Sequence, residues 1–203
     1  MKKGIESVSP SNLGWLEYKL TDKEMDYVWR CIENKKGDHR SKLAGHVSGS
    51  YSLMDRGDWF YSNVLKPLVI AYEEKFENLG NQFATSTNWR PFYLKEWWVN
   101  YQRQGEFNPL HLHGGIYSFV IWMKIPYDWK KQNKITYGRS KRISSFEIVY
   151  STTLGAQEIY NYHLSQEDSG KMIFFPAKLR HCVYPFYNCD EDRISVSGNI
   201  TLK

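Results

Sequence analysis

The sequence predicts a mainly β (α+β) domain, an antiparallel sandwich or barrel with N-terminal helices packed on it. Three observations carry that expectation. The 203 residues suit one sizeable domain and are short for two. Aromatic residues make up 16% of the chain, with eight Trp, fifteen Tyr and ten Phe. Together with β-branched runs, they fit a pleated, half-buried surface better than a helical bundle. The hydrophobic period also changes along the chain, from helical before about residue 80 to two after about residue 90.

The elements follow in order. Thr21-Asp22-Lys23-Glu24 reads as a capping box, in which hydroxyl and carboxylate satisfy each other's free amides. Met25, Val28, Trp29 and Ile32 continue at helical spacing, and Gly37 is the stop. Residues 37–57, with their Gly, Ser, His and Asp, read as loop. A second helix fits residues 58–78, ending at Leu79-Gly80, with Pro67 kinking or splitting it. The strand set is residues 92–103, 116–125, the alternation of Phe146, Ile148 and Tyr150, then 157–164, 172–175 and 193–202. That makes six to eight strands between Gly, Pro, Asn and Asp turns. The polar stretch 124–141, with Pro126, Asn133 and Gly138, reads as an exposed insert. The expected organisation is one domain over 1–203, with helical support over 1–88 and a β core over 89–203.

Charge and cysteine content narrow the partners. The net charge is +5, and the basic residues are scattered apart from Arg139-Ser140-Lys141-Arg142 and Lys130-Lys131. That argues for a solvated surface rather than nucleic-acid binding, or for a rim that steers an acidic co-substrate. Cys31, Cys182 and Cys189 are an odd number without CxxC spacing, which argues against a disulfide framework and suits a reducing compartment. No apolar stretch follows Lys2-Lys3, and no run approaches the ~20 apolar residues of a membrane span. The expectation is a soluble, cytoplasmic protein with no membrane partner.

The chemistry concentrates in two segments. His111 and His113 are spaced to share one face of a strand, with Leu112 opposite. His181 follows Phe174-Phe175-Pro176, an order that delivers a third imidazole to the mouth of a barrel. Three such ligands close a facial triangle and leave positions open for substrate and dioxygen, as in non-haem Fe(II) oxygenases, although imidazole also suits Zn, Cu and Ni. By itself an HxH pair is a weak signal, and a lone His is more often structural; His39, His46 and His163 are read as surface or core residues. In the last strand Arg193, Ser195, Ser197 and Asn199 share a face too polar for packed core. It reads either as a solvent-facing edge or as a cavity lining in which Arg193 and Ser195 grip a carboxylate.

His111-x-His113, His181 and Arg193-x-Ser195 together resemble the HxD…H…RxS pattern of the 2-oxoglutarate-dependent Fe(II) dioxygenases. Asn100-Tyr101-Gln102-Arg103-Gln104-Gly105-Glu106-Phe107-Asn108-Pro109-Leu110-His111, Phe175-Pro176-Ala177 and His181-Cys182-Val183-Tyr184-Pro185 are similar to the prolyl-hydroxylase-like branch, and to small oxygenases of marine bacteria and their phages. The resemblance covers about residues 90–203. It implies a double-stranded β-helix (jelly roll) that holds Fe(II), and a bacterial or phage-infected host cell. It implies 2-oxoglutarate chelating the metal, its far carboxylate on Arg193 and Ser195. Dioxygen then drives its decarboxylation to succinate and CO2, coupled to hydroxylation of a substrate that is a peptide or a small molecule. His113 stands where the family has aspartate, leaving the site one unit more positive; Glu106 and Asp192 are the alternative oxygen donors. Tyr101 and Asn199 are further candidates for the co-substrate, and Tyr117 and Ser118 for the lining. Trp97 and Trp98 read as core, and Cys182 as an apolar filler rather than a thiol ligand.

Overall fold

The computed structural model describes residues 12–76, 79, 91–135 and 138–203. Ten strands form two sheets. They are β1 (Leu16–Lys19), β2 (Gly49–Ser52), β3 (Phe92–Gln102), β4 (Asn108–His111), β5 (Tyr117–Lys124), β6 (Phe146–Ser151), β7 (Gln157–Tyr162), β8 (Lys171–Pro176), β9 (Arg180–Val183) and β10 (Arg193–Leu202). The large sheet runs β1-β8-β5-β10-β3-β2 and the small one β4-β9-β6-β7. Every strand pairing is antiparallel.

Helix α1 (Asp22–Glu33) starts where the sequence predicts, with the Thr21–Glu24 capping box formed in both directions. Its Val28, Cys31 and Ile32 are buried against the outer face of the large sheet, in one cluster with Trp97, Val99, Phe119 and Phe174. The second helix breaks up. A short turn at Arg56–Asp58 and a wide turn at Tyr61–Leu65 precede α2 (Lys66–Lys75). Pro67 follows directly on the wide turn, in a run that stays helical from Phe60 through Lys66, so the chain accommodates it by widening the preceding turn rather than by ending the helix. The predicted stop at Gly80 lies outside the described residues.

Two expectations need correction. Residues 37–57 are not all loop: Gly49–Ser52 is β2, paired with β3 from Tyr101 to Trp98. With β1 on the opposite edge, the N-terminal segment extends the sheet on both sides as well as supporting it with helices. The strand at 49–52 was hidden because Gly-Ser-Tyr-Ser has no apolar alternation and relies on tertiary pairing. Residues 124–141 are only partly exposed. Ile125, Tyr127, Gln132 and Asn133 are buried, and α3 (Trp129–Gln132) folds back to exchange hydrogen bonds between Gln132 and the Tyr187 backbone.

A second apolar cluster lies between the sheets, with Trp122, Phe146, Ile148, Phe175 and Phe186 among its members. Trp122, Phe146 and Phe175 line the same cavity as the three histidines. Gly198, at the centre of β10, leaves room for side chains of the two strands that flank it. A Cβ there would lie 2.6 Å from the Phe119 ring and 2.8 Å from Trp97 Cβ.

Candidate metal centre and co-substrate cavity

The cavity between the sheets has a volume of about 230 Å³. His111 ends β4 and pairs directly across from His181 on β9. His113 lies just past β4, not on it as the two-residue spacing predicted. Its N–H donates to the Ala177 carbonyl (2.9 Å), which keeps the segment extended and brings its ring to the same place. One nitrogen from each of the three rings lies within 4.8 Å of the others.

Two of the three tautomers are fixed by the backbone. His111 Nδ1 lies 2.7 Å from the Pro109 carbonyl, and His181 Nδ1 lies 3.0 Å from the Leu179 carbonyl. A carbonyl can only accept, so both Nδ1 atoms carry the proton and both Nε2 atoms are bare. His113 Nε2 sits 3.1 Å from His181 Nε2. Cis nitrogens of an octahedral site with bonds of ~2.1 Å are separated by about 3.0 Å. The His113 tautomer has no such carbonyl, and with no ion bound its Nε2–H can donate to the bare His181 Nε2; two ring nitrogens at that separation are what a divalent cation needs.

Electrostatics points the same way. Burial pushes the His113 pKa down to about 4, with the neighbouring His111 adding to the effect and Glu96 opposing it. Burial, then His111 and His113, push His181 well below the usual imidazole value. Burial also lowers His111. All three are held neutral, the form that ligates metal. The aromatic walls at His181, Phe146 (5.4 Å) and Phe175 (5.0 Å), supply that desolvation.

On the large sheet Arg193, Ser195, Ser197 and Asn199 all line the cavity. Strand β10 lies between β3 and β5, so the solvent-edge reading of this face falls. Arg193 is 2% exposed. Asn199 accepts from Ser118 Oγ (2.8 Å) and donates to Glu96 Oε1 (3.1 Å), so Ser118 orients the lining from behind.

Several sequence candidates lie elsewhere. Tyr101 is a correction: it has the parity of Trp97 and Val99, which pack in the outer cluster, and it stands beside Tyr51 (6.1 Å). Its even-numbered neighbours Trp98, Asn100 and Gln102 line the cavity instead. Tyr117 is core, packed on Tyr72 and Phe174. Glu106 accepts from the Ser48 and Arg103 amides, and Asp192 stands 4.0 Å from Arg103, so neither joins the histidines. Cys182 contacts Glu147 (3.8 Å), and burial pushes its thiol up to about 11, away from a thiolate ligand. Trp97 is core as expected, whereas Trp98 is both buried and part of the cavity wall, its ring stacked 4.7 Å from His39.

Sequence reasoning missed Glu96, Asn100 and Gln102. The available signal was alternation: Glu96, Trp98, Asn100 and Gln102 oppose Trp97, Val99 and Tyr101, and their face pairs with the polar face of β10. Glu96 is the carboxylate of the cavity, 3.7 Å from Lys42 Nζ.

A family model described as "Putative 2OG-Fe(II) oxygenase" matches residues 96–199, the span that contains the three histidines and Arg193. The chain belongs to this family. The 2OG-Fe(II) oxygenases are oxidoreductases whose cofactors are Fe(II) and 2-oxoglutarate, with dioxygen as co-substrate. A search of the curated proteins found no match. Among solved structures, the chain is similar to a prolyl-4-hydroxylase of Pseudomonas putida, at 15% identity and TM-score 0.55, covering 94% of each chain. It is similar to a viral collagen prolyl hydroxylase of Paramecium bursaria Chlorella virus-1, solved with 2OG, at 12% identity and TM-score 0.52, over 92% of this chain and 94% of that one. It is also similar to HygX of Streptomyces hygroscopicus, solved with nickel, 2-oxoglutarate and hygromycin B. There the identity is 12% and the TM-score 0.54, over 94% of this chain and 84% of that one. At these identities the likeness shows the fold, a jelly roll of two antiparallel sheets, and leaves the substrate open. Among the described residues, no helix is long and apolar enough to cross a membrane.

Proposed function

We propose that this 2OG-Fe(II) oxygenase hydroxylates its substrate with His111, His113 and His181 as the metal ligands and Arg193 as the anchor of 2-oxoglutarate. The observation that carries the reading is the convergence of three neutral imidazoles on one point of a cavity that a buried guanidinium also lines. Fe(II) at the three imidazoles supplies oxygen activation. The chain's residues do the rest. The Pro109 and Leu179 carbonyls hold two ligand tautomers. Phe146, Phe175 and Trp122 exclude water from the site. Arg193 and Ser195 fix the far carboxylate, while Ser118, Asn199 and Glu96 form a polar wall further along β5, β10 and β3. The stoichiometry is substrate C–H, dioxygen and 2-oxoglutarate going to C–OH, succinate and CO2.

His113 in place of a carboxylate is compatible with this reading because all three ligand nitrogens come together without an acidic side chain among them. One structural neighbour was solved with a peptide fragment and another with hygromycin B, so a peptidyl residue and a small molecule are the two substrate classes to test. The test is uncoupled turnover. Purified protein with Fe(II), ascorbate and 2-oxoglutarate should release succinate in air and none anaerobically, and Arg193→Leu should lower the rate at least tenfold. Oxygen uptake that ignores 2-oxoglutarate would instead support a three-histidine dioxygenase that binds its organic substrate directly.

A further inference from the structure

The Arg193 guanidinium has five N–H donors, and each one is already engaged. Gln102 Oε1 accepts from Nε (3.2 Å) and from one terminal nitrogen (2.6 Å). That nitrogen also donates to the Tyr184 carbonyl (3.0 Å). The other donates to the Tyr127 hydroxyl (2.5 Å) and the Ser144 carbonyl (3.0 Å). The rings of Tyr127 and Phe186 flank the guanidinium carbon at 5.8 and 5.4 Å. None of the acceptors is a carboxylate, and among the described residues no salt bridge includes Arg193.

A buried cation held only by neutral acceptors lacks a counter-charge. The edge formed by Nε and a terminal nitrogen is the one a carboxylate takes in bidentate fashion. Here a single amide oxygen takes both donors. Gln102 lines the cavity, so it stands on the side from which a ligand arrives. Tyr184 and Ser144 hold Arg193 through backbone carbonyls. Gln102 is the one partner on the cavity wall that can leave by side-chain rotation alone. Its own amide nitrogen is tied to the Glu106 carbonyl (2.5 Å), which sets it in this pose.

We infer that Gln102 is an internal stand-in for the far carboxylate of the co-substrate. It holds the Arg193 fork until 2-oxoglutarate arrives, gives up that edge on binding, and so sets co-substrate affinity. The inference rests on Arg193 being the anchor, as proposed above. It makes Gln102 a residue that sets co-substrate affinity and has no part in the oxidation step.

The experiment measures 2-oxoglutarate binding calorimetrically to anaerobic Mn(II)-loaded protein, with thermal unfolding as the check on folding. Gln102→Ala removes the competing acceptor and should tighten binding roughly 5–10-fold, the competition of one charge-assisted pair. Gln102→Met keeps the volume without the acceptor, should move the same way, and decides the question if the Ala variant does not fold. Gln102→Glu places a permanent carboxylate on the fork and should weaken binding by at least about 100-fold. Unchanged or weaker binding in both neutral variants overturns the inference, as does wild-type affinity in Gln102→Glu. Arg193→Leu separates the two claims. If it binds 2-oxoglutarate like wild type, the anchor reading fails; if it loses binding while the Gln102 variants bind like wild type, only the stand-in fails.

Discussion

Metal binding at the three histidines should stabilise the protein and should survive mild acid. The perturbation is addition of Mn(II), a redox-silent substitute for Fe(II), at pH 8 and pH 6, to wild type and to His181→Ala. At a metal concentration 100 times Kd the stabilisation is about 2.7 kcal/mol. For a domain of this size that raises Tm by about 5–11 °C. Three free imidazoles with pKa ~6.5 would lose about 70-fold in affinity on going to pH 6, because all three must shed protons. Here burial has pushed His113 down to about 4, His181 well below its usual value, and His111 in the same direction. The fold therefore keeps the ligands neutral at pH 6, and the affinity should fall by less than about fivefold. Differential scanning fluorimetry with a Mn(II) titration reads both quantities. His181→Ala loses a ring packed between Phe146 and Phe175, at a cost of about 2–3 kcal/mol, and should lose the Mn(II) shift. His111→Ala, half-buried, is the milder second variant. A loss near 70-fold at pH 6, or an undiminished shift in both variants, would refute the reasoning.

Gly198→Ala should destabilise the fold by about 1–3 kcal/mol in urea unfolding, because its Cβ would meet Phe119 and Trp97 at the centre of the large sheet. Glu106→Ala strips acceptors from the Ser48 amide (3.0 Å) and the Arg103 amide (2.9 Å), so both should exchange hydrogen faster, with a stability loss of about 1–3 kcal/mol. Equal exchange at Ser48 in the variant would mean that the carboxylate does not hold the loop.

Much of the site was legible in the sequence because its residues obey local rules. The period of two in β10 put Arg193, Ser195 and Asn199 on one face, and the structure places all three on the cavity. The spacing of His111 and His113 predicted convergence, and convergence is found, although His113 reaches it from beyond the strand through Ala177. The same rule, applied to β3, would have excluded Tyr101 and brought forward Asn100 and Gln102. Strand β2 and the buried part of 124–141 were not legible because their short polar segments depend on distant partners for pairing and burial.

What the sequence by itself determined is the β-rich family fold, the three imidazoles and the arginine, since each rests on composition, period or motif. What only the tertiary structure decided is their state. Carbonyls two residues upstream select the His111 and His181 tautomers, and aromatic walls keep the rings neutral. The Arg193 fork is occupied by Gln102, a residue far away in the chain. Protonation, burial and hydrogen-bond occupancy depend on which groups meet in space, and distant strands supply those neighbours here.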